Sequence, residues 1–220
     1  MTTFWGKTRF TDIDSRVEKL VLGDSTKDYR KVTYPVLLDG GQTSGLKIRV
    51  PGLVLKEDLK EGQRYTCAHL DSGKYVKVLN MIDNKLTELV GDTVNRDLQG
   101  VEFRPSVSSK GLMRLYLPHK SNKLKVAIYD SSRRLIKDST TIGESTRIDV
   151  LLRLKYVNSY SGTYRPMWEV VQAGILENDT RGSTSTDDDD DEDIEQYKGV
   201  HDYEIVDCAS DQDSEGEISD

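Results

Sequence analysis

The chain is poor in the residues that usually carry chemistry. It has three histidines, His69, His119 and His201, none close to another in sequence, and two cysteines, Cys67 and Cys208. No spacing among them makes a zinc site, and a disulfide between them is not expected. No phosphate-binding glycine loop and no nucleophile elbow occur. Asp12-Ile13-Asp14 is a carboxylate pair of a kind that metal-dependent enzymes use, but nothing accompanies it. The run Asp187, Asp188, Asp189, Asp190, Asp191 lacks the glycine and the spacing of a calcium loop. The expectation is a protein that is not an enzyme, with no cofactor and no metal.

Long apolar runs are also missing. Nothing approaches the roughly 18 residues of a membrane span, and Met-Thr-Thr-Phe-Trp-Gly-Lys at the start is not an apolar signal segment. No membrane partner is expected, and the implied setting is a reducing one, cytoplasm or nucleoid/nucleus. Hydrophobic residues make up only 35 % of the 220 residues, so part of the chain is not expected to enter a core.

What is present is an uneven charge. Residues 181–220 hold two cations, Arg181 and Lys198, against 16 anions, a net −14, within a chain whose total is −7. Residues 1–180 therefore carry 29 cations against 22 anions, a net +7. The split points to a polyanion-binding body followed by an acidic tail. The expected boundaries are a body over 1–178, a small polar linker over 179–186 and a tail over 187–220. Like charges packed as densely as those of the tail repel one another and bury nothing, so disorder is expected there.

Within the body the dominant period is two, the mark of strands. Gly45-Leu46-Lys47-Ile48-Arg49-Val50 alternates, as do Lys123-Leu124-Lys125-Val126-Ala127-Ile128-Tyr129 and the longer run from Arg147 to Val157. Further strands are expected at 29–38, 74–79, 112–117 and 164–171. One helix fits Ile82, Leu86, Leu89, Val90, Val94 and Leu98, with Asp83 near its start and Gly100 after its end. Seven short strands and one helix give a mainly β fold, a small barrel or sandwich.

Alternation also assigns faces. With the aliphatic residues inward, the opposite faces hold Lys47 and Arg49; Lys123, Lys125 and Tyr129; Arg114 and Tyr116; Tyr75 and Lys77; and Arg147, Asp149, Arg153 and Lys155. Solvent-facing sheets are often lysine-rich for protection alone, but these faces hold almost only cations, interleaved with tyrosine. The chain has 11 tyrosines and three phenylalanines. Cations that track phosphates beside rings that stack bases suit single-stranded nucleic acid. Phe4-Trp5-Gly6-Lys7-Thr8-Arg9-Phe10 offers Trp5 as a further stacker. A hairpin over 156–168 has aromatics on both arms, with Trp168 expected in the core.

The layout resembles the OB-fold single-stranded DNA-binding proteins that bacteriophages and large DNA viruses encode for their own replication. The resemblance rests on Gly143-Glu144-Ser145-Thr146-Arg147-Ile148-Asp149-Val150-Leu151-Leu152-Arg153-Leu154-Lys155-Tyr156-Val157, a turn, and Met167-Trp168-Glu169-Val170-Val171-Gln172-Ala173, which look like that family's closing hairpin. It implies an OB-like barrel, single-stranded DNA as partner, and a role in replication, recombination or repair, in the host cell if the protein is viral. The acidic tail is expected to compete with DNA and to recruit replication proteins such as a polymerase or helicase; homo-oligomers are compatible with this layout. The reading left standing beside it is an interaction or structural protein, histone-chaperone-like or a virion component, whose tail binds basic proteins.

Overall fold

In the computed structural model, residues 13–28, 31–38, 43–94, 102–120, 123–160 and 163–176 are described. Trp5, the linker and the aspartate run from Asp187 to Asp191 lie outside them. The elements, in chain order, are α1 (Ile13–Glu18), β1 (Val21–Leu22), β2 (Thr26–Asp28), β3 (Lys31–Leu38), β4 (Thr43–Ser44), β5 (Leu46–Leu55), β6 (Tyr65–His69) and α2 (Gly73–Val94). There follow β7 (Glu102–Phe103), β8 (Leu112–Tyr116), β9 (His119–Lys120), β10 (Lys123–Leu124), β11 (Ala127–Tyr129), β12 (Arg147–Tyr160) and β13 (Thr163–Ile175).

Five of these strands close a ring. β12 pairs with β5, β5 with β6, β6 with β8, β8 in parallel with β13, and β13 back to β12. A closed, mixed ring of five short strands with a helix between its second and third strands is an OB-like barrel, and closure leaves these strands no open edge. β3 lies outside the ring and pairs with the far end of β12.

The sequence makes this geometry available. Leu46, Ile48 and Val50 on β5, and Ile148, Val150, Leu152 and Leu154 on β12, all point into the core, as their alternation requires. β12 serves two partners because it is bulged: the register against β13 shifts between Leu151 and Leu152 and again between Leu154 and Tyr156. A bulge bends a strand and sharpens its twist. Residues up to Leu154 can then pair with β5, and those from Tyr156 with β3. Gly45, at φ +74°, enters β5 where a Cβ would run into the Leu154 carbonyl oxygen. Only glycine takes that turn without strain.

Three expectations need correction. Residues 74–79 are not a strand but the first turns of α2, because Leu79, Ile82, Leu86 and Val90, all buried, repeat at helical spacing and extend the helix back to Gly73. Tyr75 and Lys77, two positions apart on a helix, therefore do not share a face. The run from Lys123 to Tyr129 is not one strand. Lys123 and Leu124 pair with β9, whereas Ala127 to Tyr129 pair in parallel with β13, so Lys123, Lys125 and Tyr129 do not form one cationic strand face. Asp149, expected outside, is buried; its carboxylate accepts from Arg49 Nη2 at 2.6 Å and from the Gly52 N–H at 3.0 Å.

Trp168 is in the core as expected, 1 % exposed. Its indole Nε1 donates to Ser106 Oγ at 2.7 Å, and that hydroxyl donates to Asp83 Oδ1 at 2.6 Å. The Ser106 N–H adds a bond to Asp83 Oδ2 at 2.7 Å. Burial pushes the Asp83 carboxyl up to about 6, against the pull of the two Ser106 hydrogen bonds. The chain of bonds ties α2 to β13 beneath the outer wall of the barrel.

Candidate nucleic-acid interface

On that outer wall, β6, β8 and the tip of the β12–β13 hairpin enclose a cleft of about 440 Å³. Its walls are Tyr65 from β6, Arg114 and Tyr116 from β8, Asn158 and Tyr160 from β12, and Thr163, Arg165 and Met167 from β13, with Arg104 at one end. On β6 and β8 these side chains face outward because they alternate with core residues. Thr66 and Ala68 hold β6, and Met113 and Leu115 hold β8.

The tyrosines and arginines interlock. The Tyr65 and Tyr116 rings lie 5.4 Å apart, tilted by 55°. The Arg114 guanidinium carbon sits 3.9 Å above the Tyr65 ring, a cation–π distance. Tyr160, the last residue of β12, is 60 % exposed. The amide of Asn158 is held between the Thr33 hydroxyl at 2.9 Å and the Met167 sulfur at 3.9 Å.

The charge of the cleft is unbalanced. Arg104 reaches Glu102 at 3.2 Å, but among the described residues neither Arg114 nor Arg165 has a carboxylate in contact. Arg165 is half-buried, and burial together with the Arg114 and Arg104 charges makes its protonated form less favourable than usual. Three arginines converging beside three tyrosines make a site with positive potential and stacking surface, and among the described residues no group of three or more His, Cys, Asp or Glu could hold a metal.

Of the residues singled out in the sequence, only Arg114 and Tyr116 fall in this cleft. Lys47 is exposed on β5, beside Arg153 in the register. Arg49 is engaged by Asp149. Tyr75 packs against the core from α2, where burial raises its hydroxyl's pKa; Lys77 is exposed on the same helix, and Lys123, Lys125 and Tyr129 lie on and between β10 and β11. Arg153 and Lys155, expected to face solvent freely, clamp one buried carboxylate: Glu169 meets Arg153 Nη2 at 2.6 Å and Lys155 Nζ at 2.8 Å.

Tyr65, Arg104, Asn158, Tyr160, Thr163, Arg165 and Met167 were not among the expected contacts. Tyr65 was hidden because β6 buries only Thr66 and Ala68, too small and polar to show as an apolar alternation. Arg165 and Tyr160 did carry a signal, the aromatic-flanked hairpin.

The fold and site together define an OB-like barrel with an arginine–tyrosine cleft. Among solved structures the chain is similar to the single-stranded DNA-binding protein from bacteriophage Enc34, at TM-score 0.43 and 10 % identity, covering 77 % of this chain and 96 % of that one. It is likewise similar to that protein in complex with ssDNA, at TM-score 0.44 and 9 % identity over 74 % of this chain and 97 % of that one. A third is gp2.5, a single-stranded DNA-binding protein encoded by bacteriophage T7, at TM-score 0.41 and 8 % identity over 65 % of this chain and 98 % of that one. No protein-family model matches the chain, and no curated protein matches it.

Proposed function

We propose that this chain binds single-stranded DNA without strong sequence preference, along the cleft between β6, β8 and the β12–β13 tip. The observation that carries this is the placing of Arg114 and Arg165, with no carboxylate in contact among the described residues, beside the rings of Tyr65, Tyr116 and Tyr160. Phosphates supply the missing anions, and unpaired bases stack on the rings at about 1–3 kcal/mol each. The second and third strands and the hairpin loop of an OB barrel are also where that architecture binds oligonucleotides.

The protein acts by binding, as an accessory of replication or recombination. Its acidic tail, 187–220, is a tethered polyanion at an effective concentration on the order of millimolar. It competes with DNA for the cleft and, once displaced, recruits basic surfaces such as those of a polymerase or helicase.

The test is a titration of a labelled dT oligonucleotide with the full chain and with a chain ending at Asn178, over a range of salt. Three phosphates held by Arg104, Arg114 and Arg165 correspond to a log–log salt slope of about −2. The shortened chain should bind more tightly, most of all at low salt. Absence of binding by both forms, or a flat salt response, ends this reading and leaves that of an interaction protein whose tail binds basic partners.

A further inference from the structure

We infer that Glu169 is an internal stand-in for a phosphate: it occupies Arg153 and Lys155 and so keeps them out of the nucleic-acid path, limiting how tightly the chain holds a single strand. This rests on the single-strand reading above and concerns what lies next to the cleft.

The register of the barrel places one residue from each of its five strands in a continuous row. Tyr65 on β6 pairs with Tyr116 on β8, Tyr116 with Glu169 on β13, Glu169 with Arg153 on β12, and Arg153 with Lys47 on β5. Paired positions share a face, so the row lies on the outer wall throughout. Adjacent strands are about 4.8 Å apart. A single strand stacked on the two tyrosines and running along the row meets Glu169 next, and two cations immediately behind it.

Glu169 sits where a phosphate would. Its carboxylate is 5 % exposed, with Arg153 Nη2 at 2.6 Å on one oxygen and Lys155 Nζ at 2.8 Å on the other. A guanidinium and an ammonium converging on one anion is a grip equally suited to a phosphate. The grip is incompletely used: among the described residues, Arg153 Nε and Glu169 Oε2 are both buried without a hydrogen bond, the Lys155 contact at 2.8 Å being an ion pair alone. Burial disfavours the Lys155 charge, but Glu169, with Tyr156, more than offsets it, and the lysine's pKa is raised. The same ion triad could serve only to tie β12 to β13. Those strands, however, are already paired on both sides of the bulge at Lys155, from Ile148 to Leu154 and from Tyr156 to Tyr160, with one further register shift after Leu151.

The two roles separate in a salt titration of the full-length protein with a labelled dT oligonucleotide. Glu169→Gln should bind about three- to tenfold tighter at low salt, with a slope steeper by about 0.7 to 1.4 as one or two more phosphates are engaged. Lys155→Ala should change wild-type binding less than about twofold, yet remove most of the gain when added to Glu169→Gln, a coupling that a purely structural triad does not produce. An unchanged slope in Glu169→Gln, or equal losses from Lys155→Ala in both backgrounds, overturns the inference. Should Glu169→Gln fail to fold in a thermal melt, Glu169→Asp replaces it. That variant withdraws the charge by one methylene, and the same two outcomes in its slope decide. Arg165→Ala run alongside keeps the two readings apart. If the wild type does not bind, or Arg165→Ala binds as well, the single-strand reading fails; if Arg165→Ala weakens binding and the Glu169 variants leave the slope alone, only the role of Glu169 falls.

Discussion

Arg153 and Arg165 stand on paired strands of one barrel, both half-buried, and their surroundings are opposite. Arg153 shares Glu169 with Lys155, and one strand further Arg49 is held by Asp149. Arg165 faces Arg114 and Arg104, whose charges oppose its own; Glu102 offsets them only in part and makes no ion pair with Arg165. A half-buried cation that is paired can stabilise the fold modestly. One left among like charges destabilises it, and an arriving anion offsets that. On the single-strand reading proposed above, the paired wall serves structure and the bare wall serves binding, the usual trade between a stable surface and a working one.

The contrast breaks most visibly if the bare wall is neutralised. Arg114→Ala combined with Arg165→Ala should weaken oligonucleotide binding by about thirtyfold or more, near 2 kcal/mol, and make the salt slope shallower by about 1.4. The melting temperature should hold or rise, because the removed groups repel each other. A large loss of stability with intact binding would invert the assignment.

Asp83 tests the support behind that wall. In the folded chain its carboxyl keeps a proton up to about pH 6, whereas the unfolded carboxyl releases it near 3.9. The folded state therefore carries the extra proton between those values, and its contribution to stability, on the order of 3 kcal/mol, is lost as pH rises from about 4 to about 6. Asp83→Asn should flatten that dependence and raise the urea midpoint at pH 7.5. Equal slopes in wild type and variant across the window would mean that Asp83 is ionised throughout.

Tyr160 sharpens the comparison from the stacking side. Tyr160→Ala should reduce affinity by about 1–2 kcal/mol, while Tyr160→Phe, which keeps the ring, should keep most of it. Since Tyr160 is 60 % exposed, neither change should move the melting temperature much. A loss in the Phe variant as large as in the Ala variant would make the hydroxyl, not the ring, the working group.

How much of this was legible in the sequence follows from the range of the interactions. Period-two alternation is local, so β5, β8 and β12 and their inward faces could be read directly, β13 could be read as a strand, and Trp168 could be placed in the core. The alternation in 74–79 was too short to outweigh the helical spacing of Leu79, Ile82 and Leu86 just beyond it. Which cations are free was not legible at all. Arg49 meets Asp149, and Arg153 meets Glu169, through pairings between strands that only the closed barrel sets. The cleft likewise gathers Tyr65, Arg114 and Arg165 from three strands of a ring whose order does not follow the sequence.

The smallest expected effect is the most discriminating. Arg49 and Arg165 are the same residue type on outward strand positions of one barrel, and sequence alternation gives no reason to separate them. Arg49→Ala should leave oligonucleotide affinity within about twofold, because Arg49 is already engaged by Asp149 and lies on the paired wall. It should lower the melting temperature by about 2–4 °C, the shift that about 1 kcal/mol produces in a chain of this size. That loss arises because Asp149, buried, keeps only the Gly52 N–H of the two bonds described here. Arg165→Ala should do the reverse, weakening binding with the melting temperature unmoved. A binding loss in Arg49→Ala as large as that in Arg165→Ala would mean that nucleic acid displaces Asp149 from its arginine, and the two walls would then be one continuous surface.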